Sequence, residues 1–414
     1  MRYGAILIPI FATALGAAPT YNKDIAPILY KNCAGCHRPG EVAPFSLLTY
    51  QDAAKRAAVI AGVTQARVMP PWKAEPGYGD FKDARRLSDE DLALIQQWAK
   101  AGAPEGDASS KPTPPVFAGG WQLGQPDRVL TVPAKFSLKA DGADQFRCFV
   151  IPMNLDQDLY VGALEFRPDN RRVVHHALVF TDPLGMAKDL ASGSPDGGYT
   201  CFGGPGFPGG LLGGWAPGQV PVKPEPGYAA VLRKGTNLVL QIHYHPDGKP
   251  ELDQSSLGLF LTSAPTKGRA VMLLRNNGID IAPGDDHYVV KASLVVPADA
   301  QLQRITPHAH YLCKDMKIDA HLPDGSVVPL IWIRDWDFNW QGSYVYAKPV
   351  ALPKGTRVDM QYTYDNSEKN PRNPAHPPVH VTYGEETTNE MALAFLTFAL
   401  LTPADAGAFQ RSRR

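Results

Sequence analysis

Apolar residues recur at helical spacing in two stretches near the N-terminus and form short strand-like runs over the rest of the chain. Within residues 21–32, Ile25, Ile28 and Leu29 lie at i, i+3, i+4, which is one face of a helix. A second helix is predicted to open on Ser88-Asp89-Glu90-Asp91, a capping residue followed by acids. Leu92, Ile95, Trp98 and Ala99 make its buried stripe and Gly102 stops it. Residues 107–120 are Ser/Pro-rich and read as a linker. Beyond them, strand-like runs occupy 146–152, 160–166, 173–180, 237–244 and 256–261. A second series covers 288–296, 302–305, 316–321, 327–333 and 357–364, with turn signals at Pro323-Asp324-Gly325 and Pro353-Lys354-Gly355. Two antiparallel sandwiches are expected, over 121–264 and 265–402, with a tail from 403 to 414. The stretch 203–214 lacks the strand–helix context of a phosphate loop and reads as a long, flexible connection. Residues 334–340 (RDWDFNW) read as an aromatic-rich strand with its turn, the alternative being a binding surface.

Composition agrees with a β-rich chain of more than one domain. There are 414 residues, too many for one ordinary domain, and 38 Gly and 39 Pro, which leave little room for long helices. Basic and acidic residues number 41 each, so the basic excess of a nucleic-acid or anionic-membrane binder is missing. Arg2, an apolar run over 4–15 and small residues at 16–18 form the pattern of a secretory signal peptide, too short to span a bilayer. A periplasmic or secreted protein with no transmembrane span in the mature chain is expected. Cys148, Cys201 and Cys313 then allow one disulfide, with one thiol left over and the pair unassigned.

Cys33-Ala34-Gly35-Cys36-His37 is C-x-x-C-H, the attachment sequence for a c-type haem. Two thioethers would hold the haem, and His37 is placed to give its imidazole to the iron. A zinc ribbon would need a second close Cys pair, and the chain has none. The two helices bracketing the motif match the cytochrome c pattern, so a small all-α cytochrome c domain is expected over 20–106. Met69, in Val68-Met69-Pro70-Pro71-Trp72, is the expected sixth ligand.

The histidines are clustered: His175-His176, His243-Tyr244-His245 and His308-Ala309-His310. On a strand, residues i and i+2 share a face, so each H-x-H offers two imidazoles to one ion, whereas adjacent histidines converge only at a strand end or bulge. Spacing alone suggests sites at His243/His245 and at His308/His310, and imidazole suits copper, zinc, iron or nickel.

The order V-V-H-H-A-L-V-F, L-Q-I-H-Y, P-H-A-H, T-T-N-E-M-A resembles the type II copper, ascorbate-dependent monooxygenases, the relatives of peptidylglycine α-hydroxylating monooxygenase and dopamine β-hydroxylase, over roughly residues 140–400. The resemblance implies one copper on His175, His176 and His243 and a second on His308, His310 and Met391, with His245 in a supporting or structural place. It further implies jelly-roll-like sandwiches and hydroxylation of a C–H bond of a small molecule by O₂ at the Met-containing centre. A second electron would come from the imidazole-only copper, and the fused haem would act as electron donor in place of a soluble reductant. Thr306, Leu393 and Phe395 stand where the peptide-processing branch has Arg, Asn and Tyr anchors, which points away from peptides and towards a neutral or aromatic substrate. Three other classes compete: a non-catalytic electron-transfer or copper-handling protein, a polymer-binding module with structural histidines, and a zinc hydrolase. Met391 counts against the last, since a thioether is a poor zinc ligand.

Overall fold

The computed structural model describes residues 18–411 except 42, 118–119, 217–218, 220, 224, 385, 401 and 403–404. All but the last residue of the predicted signal peptide lies outside the described residues. No helix among the described residues is long and apolar enough to cross a membrane. The chain forms two compact units, residues 1–70 with 85–116 and residues 71–84 with 117–414.

In the first unit, α1 (Ala26–Asn32), α2 (Tyr50–Ala54), α3 (Ala57–Gln65) and α4 (Asp89–Lys100) are short. Thr49 and Ser88 cap α2 and α4 by accepting the N–H of Asp52 and Asp91. The predicted stripes meet in one core, where Ile25, Leu29, Ile95 and Trp98 are fully buried with Tyr21.

The second unit opens with β1 (Arg128–Thr131), β2 (Phe136–Leu138), β3 (Gln145–Ile151), β4 (Leu159–Arg167), β5 (Val174–Asp182), β6 (Gly198–Thr200), β7 (Gly210–Trp215), β8 (Ala230–Leu232), β9 (Asn237–Tyr244), β10 (Glu251–Asp253) and β11 (Ser256–Leu261). It continues with β12 (Gly268–Arg275), β13 (Asp280–Ile281), β14 (Tyr288–Val295), β15 (Ala300–His308), β16 (Cys313–His321), β17 (Val327–Ile333), β18 (Tyr344–Leu352), β19 (Arg357–Tyr364), β20 (Val381–Thr382) and β21 (Leu393–Leu400). The larger sheets run β1-β11-β4-β8, β6-β3-β9-β5-β7, β12-β21-β15-β18 and β14-β19-β16-β17. One apolar core lies under the first two and a second under the other two.

The expected class, an all-α cytochrome domain followed by two all-β sandwich domains, is corrected by this structure. Strands hold 35% of the residues and helices 14%, and the N-terminal part contributes only a few short helices, so no all-α cytochrome domain is formed. The β part is one compact unit whose four larger sheets equal the blades of a four-bladed propeller in number, although strands distant in sequence share each sheet. Apolar periodicity reports which local segment has a buried face, not how many segments share one compact body.

Two smaller expectations are also corrected. Part of the supposed flexible connection is the strand β7, paired with β5. Its glycines permit this close approach, since a Cβ on Gly214 would lie 2.9 Å from the Ala177 carbonyl oxygen. Residues 334–340 form no strand; Phe338–Trp340 is a single 3₁₀ turn opened by Asp337, whose side chain accepts the Asn339 N–H. Cys148 and Cys201 form the disulfide, joining β3 to the end of β6, and Cys313 is a buried thiol.

Beside that disulfide, Asp196 takes two hydrogen bonds from Arg147 (2.6 and 3.0 Å) and others from Ser194 and the Gly198 N–H. Burial opposes its ionisation, but these donors outweigh burial and bring its pKa down to about 2. A depressed carboxyl stabilises the fold fully above its unfolded value and loses that effect as pH falls through the folded value. Asp196→Asn is therefore expected to cost about 2 kcal/mol at pH 7, a deficit that shrinks between about pH 4 and 2. Urea unfolding of both proteins across that range checks it.

Candidate metal centre

The central strand β9 is buried along its whole length. Leu238, Leu240, Ile242 and Tyr244 enter the core beneath the sheet, which leaves His243 on the face of Val239 and Gln241. There His243 pairs with His176 on β5 and with Phe146 on β3, whose ring stacks on it at 4.2 Å. The register of β5 against β9 shifts between Val174 and His176, so His175 is the extra residue of a β-bulge. That bulge lets adjacent histidines converge. The Nδ1 atoms of His175 and His243 each lie 3.2 Å from the Nδ1 of His176, and each residue offers a nitrogen within 4.8 Å of the others'.

Asp144, directly before β3, fixes this arrangement. One carboxylate oxygen accepts the Nε2–H of His243 and the other the Nδ1–H of His245, each at 2.7 Å. With Nε2 committed as donor, neutral His243 carries its lone pair on Nδ1, towards the other two rings. Burial opposes the ionisation of Asp144, but the two histidines hold its pKa below the usual carboxylate range. His245 therefore braces Asp144 and is 68% exposed outside the triad.

The second cluster is built on β15 and the approach to β21. His308 ends β15 opposite Leu393, the first residue of β21, so His310 and Met391 lie just beyond the paired strands at the same end. The fully buried Glu390 ties the two segments together: Oε2 accepts the backbone N–H of His310 (2.8 Å) and Met391 (3.1 Å), and Oε1 that of Leu312 (2.6 Å). Burial raises the Glu390 pKa to about 8 against those donors. The Nδ1 of His308 faces Gln341 Oε1, and the Nδ1 of His310 faces the Asn389 carbonyl at 3.0 Å. Both acceptors make Nδ1 the donor and leave Nε2 with its lone pair, the reverse of His243. The two rings lie 5.2 Å apart. Phe338 stacks on His175 at 5.5 Å and meets His310 edge-on at 5.5 Å, so those two imidazoles are at most twice that distance apart.

Burial lowers the pKa of all four flanking imidazoles. It falls to about 4 in His175, well below the usual value in His176, below it in His308, and to about 3 in His310. Like charge from neighbouring histidines adds to burial in all but His308. Neutral imidazole is the ligating form. The 3.2 Å spacings in the triad suit a transition-metal ion, because nitrogens at about 2.0–2.1 Å from a tetrahedral centre sit about 3.3 Å apart.

In the N-terminal unit, the C-x-x-C-H segment continues α1 as a turn, with the Cys36 and His37 N–H groups on the Cys33 carbonyl. His37 Nδ1 is 3.2 Å from the Phe45 carbonyl, which makes it the donor and leaves Nε2 available. The Cys33 thiol pKa is pushed up to about 12, by burial first and then by Cys36. Met69 follows the turn after α3, with its N–H on the Val63 carbonyl.

Sequence spacing did not reveal Asp144, Phe146, Phe338, Gln341 or Glu390. Two of them left a signal: Glu390 as the residue before Met391 in T-T-N-E-M-A, and Phe338 within the aromatic segment 334–340.

No family model and no curated protein matches the chain. Among solved structures, the bacteriophage PM2 major capsid protein P2 is 8% identical with a TM-score of 0.27, over 66% of this chain and 97% of that one. PNGF-II is 11% identical with a TM-score of 0.27, over 66% and 65%. The infectious bursal disease virus VP2 subviral particle is 10% identical with a TM-score of 0.19, over 69% and 75%. Likenesses this low carry no argument about function.

Proposed function

We propose that the protein is an exported copper- and haem-dependent monooxygenase that hydroxylates a C–H bond of a small neutral or aromatic molecule with O₂. The observation that carries the reading is the pair of histidine clusters meeting across Phe338, one aiming Nδ1 atoms inward and the other keeping its Nε2 lone pairs, with Met391 held beside His310 through Glu390. Copper on His175/His176/His243 and on His308/His310/Met391, with haem on Cys33, Cys36, His37 and Met69, would supply O₂ activation and one-electron transfer.

The chain's own part is positional. Asp144 and Gln341 set imidazole tautomers, burial favours the unprotonated form of His175, His176, His308 and His310, and the Met391 thioether softens one donor set. Thr306 hydrogen-bonds Ser343 at 2.8 Å and is not a charged anchor, in keeping with an uncharged substrate. One observation favours a second reading, a non-catalytic copper-binding or electron-transfer protein: Phe338, only 6% exposed, fills the space between the clusters.

Purified protein loaded with copper, reduced and given candidate substrates under ¹⁸O₂ should yield labelled product. Met391→Ala should abolish that product while the triad copper and the haem absorbance remain. Two coppers without product in any substrate screen would favour the second reading, and product formation by Met391→Ala would overturn the first.

A further inference from the structure

A cavity of about 120 Å³ is lined by Arg304 of β15, four residues before His308, and by Arg269 of β12, Lys223, Gln219, Trp215 and Glu165; it includes none of the clustered histidines. A water needs roughly 10–15 Å³ of such space, so the cavity has room for several waters or one small ion. The register of β15 shifts between Leu302 and Arg304 against both neighbours, a bulge at Gln303. Bulges re-aim the side chains beside them. Gln303 donates to Glu225 Oε2 at 2.7 Å, and Arg269 lies 3.9 Å from the same oxygen with its guanidinium over the Tyr228 ring. Arg304, half-buried, makes no side-chain hydrogen bond or close ion pair among the described residues; its nearby carboxylate is Glu225, which it shares with Arg269.

The charges around the cavity do not balance. Among the described residues, Arg304, Arg269 and Lys223 stand against Glu165 in the lining and Glu225 beside it, which faces both arginines, so one positive charge is left over. Both Glu165 oxygens are occupied by the backbone N–H groups of Gln122 (2.8 Å) and Leu123 (3.0 Å). Burial lowers the pKa of Arg269 and Arg304, and Arg269 lowers that of Arg304 further, while Glu225 acts the other way on both without offsetting burial. Arginine keeps its proton even so, and its planar fork matches the paired oxygens of a carboxylate or inorganic oxyanion. The Arg269 side chain is 37% exposed, which leaves an entry from solvent.

We propose that this cavity is a binding site for a small oxyanion, with Arg304 as its central ligand and Arg269 as its second cation. The site is independent of the copper reading and stands or falls without it.

Full-length protein is titrated with sodium phosphate, sodium sulfate and sodium acetate by calorimetry and thermal shift, at ionic strength held constant with chloride. Saturable binding of at least one of the three is expected. Arg304→Gln should weaken it by about tenfold or more, and Arg304→Lys by less. Preference for phosphate or sulfate over acetate identifies an inorganic ligand, and the reverse a carboxylate. Removing a buried cation that makes no hydrogen bond should not unfold the protein, so Arg304→Met in chloride alone should melt at or above the wild-type temperature. Three anions without saturable binding, equal binding by Arg304→Gln, or a clearly lower melting temperature for Arg304→Met would each overturn the proposal.

Discussion

Replacing His243 with alanine is expected to cost the protein one copper equivalent and leave the other. His243 supplies one of three converging nitrogens, and His175 and His176 alone make a two-coordinate site in which the bulge no longer has a partner ring to face. Disturbing the brace behind it should cost less. Asp144→Asn keeps the shape but has one acceptor oxygen where His243 and His245 each need one, so copper affinity at the triad should fall about 10–100-fold. His245→Ala leaves the Asp144–His243 bond in place and should change affinity little. Copper per chain after dialysis against a graded chelator gives the order, with far-UV circular dichroism to establish that each variant is folded. Two coppers retained in His243→Ala would remove the triad as a metal centre, whatever the activity.

The same residues show how far the sequence alone reaches. Strand-like runs at 237–244, 256–261, 327–333 and 357–364 are strands over those residues, because alternation and turn chemistry are local. His308 and His310 sit together although β15 ends at His308, because Glu390 and the Asn389 carbonyl hold His310 in place beyond the strand end. His243 and His245 have the same spacing of two yet divide their roles, since β9 ends at Tyr244 and Asp144 holds both rings from a position about a hundred residues earlier. His175 joins the triad only through a bulge, and a bulge is a register shift between two strands, which neither strand's own pattern records. β7 is hidden by glycines that carry no hydrophobic signal although they are what lets it lie against β5. At the N-terminus the apolar stripes are real, with Ile25, Leu29, Ile95 and Trp98 buried, but a stripe on a short helix does not make an all-α domain.

Glu390→Ala is expected to be the most damaging single substitution to the fold and to the second cluster together. It removes the common acceptor of three backbone N–H groups, those of His310, Leu312 and Met391. A buried donor left without a partner costs about 1–3 kcal/mol, so the expected loss is about 3–5 kcal/mol, at the upper end for point substitutions. Glu390→Gln keeps one acceptor but turns an amide N–H₂ towards a donor, and should lie between wild type and alanine. The location of the damage separates a general packing defect from a specific hold on Met391. His310 and Met391 are pinned on the same Oε2, so losing it frees the Met391 segment from the H-x-H strand, whereas the triad on β5 and β9 has no bond to Glu390. Urea unfolding should therefore show the destabilisation, and copper analysis at low urea should show the His308/His310/Met391 equivalent lost first with the His175/His176/His243 equivalent retained. Equal loss of both would mean that Glu390 supports the unit as a whole and has no particular part in holding Met391 to His310.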